Sequence, residues 1–190
     1  LANDNWKTTQ EQAIRDTTLA PPNDLESAIL VSLQPGAYTA IVSGASNGTG
    51  VGLVEVYDLE QPPVSKLVNI STRGLVGTGE KVMIGGVILL GPDPARILFR
   101  ALGPSLSSAG IQQTLADPQL DLFDAQGTKI ASNNNWKDTQ QAAIQDTGAA
   151  PTIDSESAIV ATLNPGNYTA VVSGMSGGIG VGLIEAYHLQ

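Results

Sequence analysis

An internal repeat constrains this chain more than any other feature. Residues 3–60 recur as residues 133–190, in the same order and with an offset of 130 positions. Trp6 corresponds to Trp136, and roughly 35 of 60 aligned positions are identical. Self-similarity at a fixed period predicts a repeat protein. A period of about 130 residues in a chain of 190 predicts one full module and a fraction of another.

Charge and composition exclude several classes of function. The net charge of -9 argues against nucleic acid binding, which needs clustered Lys and Arg. There is no cysteine, so disulfides and thiolate metal sites are excluded. The longest apolar run, Val82 to Leu90, is too short to span a membrane. Because the chain begins at Leu1 in mid-module, we expect a processed form or a window from a longer protein.

The residue pattern predicts short strands separated by turns of Gly, Pro and Asn. In the first copy, residues 8–17 are expected to form a surface helix, and strands are predicted at residues 27–33, 38–44 and 51–59. The second copy should repeat these elements. After a linker at Gln61-Pro62-Pro63, the portion that occurs once has predicted strands at residues 66–72, 81–90, 95–102, 119–123 and 128–131.

These elements predict an all-β fold of jelly-roll-like β-sandwich modules. Residues 1–61 would be a partial module, the C-terminal half of the repeat, and residues 62–190 a complete one. A half-module leaves an apolar face and open strand edges, which pair with other chains. Three solutions stay open: it packs on the full module, a neighbouring chain completes it, or it belongs to a continuous array.

Oxygen-bearing side chains gather in the loops of both copies and predict calcium sites, since calcium takes six to eight oxygen ligands. The alternative is that these residues only shape turns through side-chain hydrogen bonds. In the first copy the candidate ligands are Asn3, Asp4, Asn5, Asp16, Asp24 and Glu26. In the second copy they are Asp124, Asn133, Asn134, Asn135, Asp146, Asp154 and Glu156.

Other residues could take part in catalysis or ligand binding, but structural roles explain them better. The glycine-rich run at residues 177–182 lies between two predicted strands without the helix and lysine of a phosphate loop, which indicates a turn. His188 is the only histidine, so a Ser-His-Asp triad would depend on it alone. Glu55 and Glu185 lie on apolar strand faces. They could act on a sugar as paired carboxylates, but an ion pair with an arginine such as Arg96 or Arg100 is the better interpretation.

The two tryptophans, Trp6 and Trp136, have two interpretations. They could stack on sugar rings at the surface, or cover the edge of a core after an Asn-rich turn. The second interpretation is favoured.

Several motifs resemble those of a known family. They are Asp121-Leu-Phe-Asp-Ala-Gln-Gly127, Asn133-Asn-Asn, Asp154-x-Glu-Ser and Leu163-Asn-Pro-Gly-Asn-Tyr168-Thr-Ala-Val-Val-Ser173-Gly. Together they resemble secreted bacterial β-sandwich modules related to the pre-peptidase C-terminal domain. The run Arg100-Ala-Leu-Gly-Pro-Ser-Leu106 is similar to a motif of tandem modules in very large secreted bacterial proteins. The resemblance implies non-catalytic, jelly-roll-like, extracellular modules, calcium-bound in some members. The Asn-Asn-Asn turn departs from the usual acidic turn, which lowers its charge.

The sequence therefore predicts a non-catalytic, extracellular structural repeat protein. We expect it to associate with copies of itself into a fibre or array, with calcium stabilising loop clusters, and through edge strands at residues 27–33 and 51–59. The alternative is a secreted binding or adhesion module that recognises carbohydrate or a cell surface. That alternative predicts a monomer with saturable glycan binding.

Overall fold

The computed structural model describes residues 1–60 and 67–189, and the chain divides into two compact units, Leu1–Lys66 and Leu67–Gln190. The predicted linker at Gln61-Pro62-Pro63 lies outside the described residues. Within those residues, no helix has the length and apolar character needed to cross a membrane.

The second unit is built mainly of strands. Its eight strands are β1 (Asn69–Val76), β2 (Met83–Leu89), β3 (Ala95–Leu102), β4 (Pro118–Phe123), β5 (Lys129–Asn133), β6 (Ser157–Leu163), β7 (Gly166–Gly174) and β8 (Gly180–Leu189). A 3-10 helix over Pro104–Ala109 follows β3, and another over Met175–Gly177 joins β7 to β8. A short α-helix, α2, spans Gln141–Gln145; the α-helix α1 lies in the first unit and is described below.

The eight strands form two antiparallel four-stranded sheets, which confirms the prediction of an all-β sandwich. The first sheet has the order β1-β8-β3-β6, and the second has the order β2-β7-β4-β5. Within the sheets, β6 pairs only with β3, β7 pairs with β2 and β4, and β8 pairs with β1 and β3. The three strands of the repeated segment therefore never pair with one another.

The main core lies between the two sheets, because alternate residues of each strand point inward. Its buried side chains come from both portions of the unit and include Phe99, Leu120, Leu122, Ile159 and Val172. A second apolar cluster lies on the outer face of the first sheet. There the segment containing α2 places Trp136 and Ile144 over Leu98 and Ala158.

The first unit contains helical turns but no strand in residues 1–60. Its elements are the 3-10 helices Trp6–Thr8 and Ala45–Asn47 and the α-helix α1 (Glu11–Asp16). The α-helix α1 confirms the helix predicted within residues 8–17. The strands predicted at residues 27–33, 38–44 and 51–59 are wrong for this structure.

The missing strands follow from the pairing order of the second unit. Residues 27–33, 38–44 and 51–59 correspond to β6, β7 and β8, and in the second unit every pairing partner of those strands comes from β1 to β4. Because a strand needs a hydrogen-bonded neighbour, an alternating sequence alone does not form one.

Candidate functional site

Loops at one end of the sandwich bring together oxygen atoms from distant parts of the chain. The Ser157 hydroxyl lies within hydrogen-bonding distance of the carbonyl oxygen of Asn134, at 2.7 Å, and of the carbonyl oxygen of Pro118. The backbone N–H of Trp136 donates to the carbonyl of Glu156 at 2.8 Å. The start of β6 is thereby tied to the loop after β5 and to the start of β4.

Glu156 is fully buried at this junction and anchors the turn that follows β3. Its Oε1 accepts hydrogen bonds from the backbone N–H groups of Gly103 and Ser105, both at 3.0 Å, and from the Ser105 hydroxyl at 2.5 Å. A Cβ on Gly103 would lie 2.1 Å from the carbonyl oxygen of Leu115, so the turn also requires glycine there. These contacts explain the glycine and the serine of the Gly-Pro-Ser portion of the motif that begins at Arg100.

Three buried side-chain oxygens at this end have no hydrogen-bond partner among the described residues. They are Oδ1 of Asp117, Oδ1 of Asn134 and Oε2 of Glu156. Unpaired buried acceptors are rare, and a bound ion or water is one explanation for them. Carboxylate and amide oxygens are the ligand types that calcium takes. The three side chains fit calcium in type and leave the other positions to carbonyls and water.

The part of the chain that the structure describes holds no metal-ready group of three or more His, Cys, Asp or Glu side chains.

The other predicted ligands of the second copy are used in turns or lie apart from this end. Asn133 Oδ1 accepts from the backbone N–H of Ala158 at 2.9 Å, and its amide donates to the carbonyl of Asn135 at 2.9 Å. The Asn135 amide donates to Asp138, Asp146 is exposed, and Asp154 forms an exposed ion pair with Lys137.

Asp124 lies at the far end of the β4–β5 hairpin. Its Oδ1 accepts from the backbone N–H groups of Gln126, at 2.9 Å, and Thr128, at 2.8 Å, as in an Asx turn. The length of β5 separates it from Asn133, a distance of about 15 Å at the usual rise per strand residue.

The predicted ligands of the first copy form the same turn network. Asn3 Oδ1 accepts from the backbone N–H of Ala28 at 3.1 Å, the Asp4 carbonyl accepts from the Ser27 hydroxyl at 2.8 Å, and the Asn5 carbonyl accepts from Thr8. Side-chain contacts occupy the remaining carboxylates: Asp16 accepts from Gln12, Asp24 pairs with Lys7, and Glu26 accepts from the backbone N–H of Asn23.

An ion pair on the first sheet confirms the structural interpretation of Glu185. Arg100 donates from Nε to Glu185 Oε2 at 2.8 Å, and its Nη1 donates to the carbonyl of Ala149 at 2.7 Å. The Tyr187 hydroxyl donates to Glu185 Oε1 at 2.9 Å and accepts from Arg100 at 2.9 Å. Burial, followed by the charge of Glu185, raises the pKa of Tyr187 above its ordinary value, although Arg100 opposes the shift.

Both tryptophan rings are buried, with only 2% of Trp6 and 5% of Trp136 exposed. Each packs inside its own unit, and charged groups lie over the rings: Lys7 and Arg15 over Trp6, and Lys137 over Trp136. Neither ring presents a free face on which a sugar could stack, so the core-edge interpretation is confirmed.

Asp117 and Ser105 were missed by sequence reasoning. Asp117 stands alone before a proline in a loop outside the repeated segment, so no local cluster marks it. Only the pairing of β4 with β7, together with the loop after β5, brings it to the same end as Asn134 and Glu156.

Comparisons with known proteins assign no family. No protein-family model matches this sequence, and no curated protein shows significant similarity to it.

Proposed function

We propose that this chain is a non-catalytic structural protein whose β-sandwich modules associate, through segments that have the sequence of strands but lie outside the sheets, into an extended assembly. One observation carries the proposal: residues 27–59 have the sequence of three module strands, yet they form no strand and expose their apolar side chains. Val42 is 64% exposed, whereas its counterpart Val172 is completely buried. Exposed apolar segments that lie outside a sheet can pair with strands of other molecules.

The second unit supplies surfaces on which such segments can add. Four of its strands, β1, β6, β2 and β5, are sheet edges. Edge strand β2 exposes Ile84 and Ile88, so it offers both backbone hydrogen-bonding groups and apolar contact. Because the segment on one copy and the edge on another are different surfaces, the contact is head-to-tail and can continue as a fibre.

Contacts of the polar groups support a non-catalytic role. Glu185 is held by Arg100 and Tyr187, and Glu156 is used in anchoring a turn. His188 lies in strand β8, and its backbone N–H donates to the carbonyl of Val68 at 2.9 Å. The resemblance to secreted modules supports an extracellular setting.

Calcium forms the second part of the proposal. Asp117, Asn134 and Glu156 would hold the ion at the end of the sandwich where β4 and β6 begin. Bound there, it would neutralise two carboxylates and join three separate loops, which would stiffen the edge of the module. Modules of extracellular type bind calcium with affinities of about 0.1–1 mM.

Negative-stain electron microscopy of the purified chain, with calcium and with a chelator, tests both parts. We expect filaments with calcium, and frayed or shorter filaments with chelator. Filaments that are unaffected by chelator would retain the structural role and remove calcium from it. Single particles under both conditions would overturn the proposed assembly.

A further inference from the structure

The second unit consists of two complementary halves. We call residues 67–132 the donor half, since they supply β1 to β4 and most of β5, and residues 133–189 the acceptor half, which supplies β6 to β8. Each acceptor strand pairs only with donor strands. Residues 3–59 repeat the acceptor half, and the first unit holds no donor half.

The first copy keeps the residues that the second copy buries. Fifteen residues in 133–189 are buried, and fourteen of them are identical in the first copy. The fifteenth is a conservative change, with Val54 in place of Ile184. Of the other 42 positions, 21 are identical. The two copies therefore differ mainly on the surface that a complete module exposes, and the interior surface of the first copy still matches a donor half.

Two glycines show the match most directly. Neither has a positive φ in either copy, so only the close approach of another chain segment would require glycine there. A Cβ on Gly180 would lie 2.5 Å from the backbone nitrogen of Leu115, and one on Gly182 would lie 3.0 Å from Val76. Their counterparts Gly50 and Gly52 have nothing within 4 Å. Glycine is thus present in the first copy where only a donor half would require it.

Polar anchors are retained in the same way. Glu156 contacts the donor half by accepting hydrogen bonds from Gly103 and Ser105, whereas its counterpart Glu26 is exposed. Glu185 contacts the donor through Arg100, whereas Glu55 accepts only from Tyr57, at 3.0 Å, among the described residues.

We propose that residues 3–59 bind a donor segment of the same kind as residues 67–132, in the register of the second unit. The segment is recognised by an arginine on its third strand that reaches Glu55 and Tyr57. Two further contacts complete the recognition: a Gly-Pro-Ser turn whose N–H groups reach Glu26, and a close approach to Gly50 by backbone and to Gly52 by an apolar side chain. This inference rests on the proposed function, since it names the partner of the segments to which we assign assembly.

Residues 1–190 contain two acceptor halves and one donor half. Exchange among copies of these residues leaves one acceptor half unfilled in each. Exchange between copies therefore gains no pairing, and the partner is a further donor segment. Copies without that segment can still associate when residues 27–59 of one copy add to a sheet edge of another.

A chain extended with a second donor half tests the inference. Residues 67–132 are joined directly to Asn3, so that Ser132 precedes Asn3 as it precedes Asn133. Hydrogen exchange read by mass spectrometry should show residues 27–59 poorly protected in the original chain, where Ala28 and Leu30 donate only to side chains, and protected like residues 157–189 in the extended chain. Protection of residues 157–189 reports in both chains that the second unit is folded. If those residues are protected while residues 27–59 still exchange freely, the inference is overturned.

Gly50→Ala supplies the matched control. In the original chain this change meets open space and should alter nothing. In the extended chain it should abolish protection of residues 27–59 and leave residues 157–189 unchanged. Equal protection with and without Gly50→Ala in the extended chain would contradict the proposed register.

Electron microscopy of the same two chains separates this inference from the proposed function. Filaments of the original chain that disappear on extension support both. Single particles of the original chain, with residues 27–59 protected in the extended chain, overturn the self-assembly and leave the donor inference standing. Filaments that persist in the extended chain without protection of residues 27–59 overturn the donor inference alone.

Discussion

The two copies of the repeat share their loop structure and differ in their strands. In both, the backbone N–H after the Asn-rich turn donates to the carbonyl of the glutamate, from Trp6 to Glu26 and from Trp136 to Glu156, each at 2.8 Å. Gln10 and Gln140 likewise bridge equivalent backbone groups. Yet only the second copy forms strands. The loops depend on contacts within the copy, whereas the strands depend on residues 67–132.

The largest predicted difference between the copies concerns their glutamates. Glu185→Ala would leave Arg100, whose side chain is 15% exposed, without its ion pair. Removing one partner of a buried pair costs about 3–5 kcal/mol. The matched change Glu55→Ala removes an exposed side chain, so it should leave the stability of the second unit unchanged. Urea unfolding of both variants measures this, and equal losses would contradict the comparison.

A smaller difference is expected for an apolar pair at equivalent positions. Ile159 is 2% exposed and lies in the main core, whereas Ile29 is 47% exposed. Ile159→Ala should destabilise the second unit by about 2–5 kcal/mol through lost burial and a cavity. Ile29→Ala should change it by less than about 0.5 kcal/mol. Thermal unfolding followed by circular dichroism distinguishes them; a comparable loss from Ile29→Ala would show that residues 3–59 already have a buried core.

Within residues 1–60 Asp117 has no counterpart, so of the two copies described calcium should bind to the second. With an affinity of about 0.1–1 mM, about 10 mM calcium should stabilise the second unit by about 1–3 kcal/mol. Asp117→Asn should remove most of this gain, whereas Asp124→Asn, at the other end of the hairpin, should retain it. Calorimetric titration of the unsubstituted chain should give one site per chain. If calcium leaves the unfolding midpoint unchanged, the three unpaired oxygens bind water instead.

Local sequence predicted the strands of the second unit but could not predict which copy would form them. The bounds predicted for β3, residues 95–102, match the structure, because alternation and flanking turns are local features. Residues 51–59 carry the same alternation as β8, so both were predicted as strands. They differ because only β8 has a strand to pair with, and that strand is distant in sequence: Arg100 on β3 lies more than 80 residues from Glu185 on β8. Asp117 was missed for the same reason: its partners come from the fold.

The smallest predicted effect is a difference in pH dependence between Tyr187 and Tyr57. Burial and Glu185 raise the pKa of Tyr187, so the folded state keeps that proton to higher pH than the unfolded state. The stability this contributes is complete below the unfolded pKa of about 10, and is lost as the pH rises through the raised folded pKa. The loss should be under about 1 kcal/mol, since the group is partly exposed.

Substitution by phenylalanine separates the two tyrosines. Tyr187→Phe should flatten the decline in stability of the second unit above about pH 10. It should also lower stability at neutral pH by about 1 kcal/mol, because the hydroxyl bonds to Arg100 and Glu185 are lost. The pKa of Tyr57 is also raised, by its hydrogen bond to Glu55, but that pair is exposed and belongs to the copy without strands. Tyr57→Phe should therefore leave the alkaline unfolding curve unchanged, and a flattened curve would show that the two copies are more alike than their strands indicate.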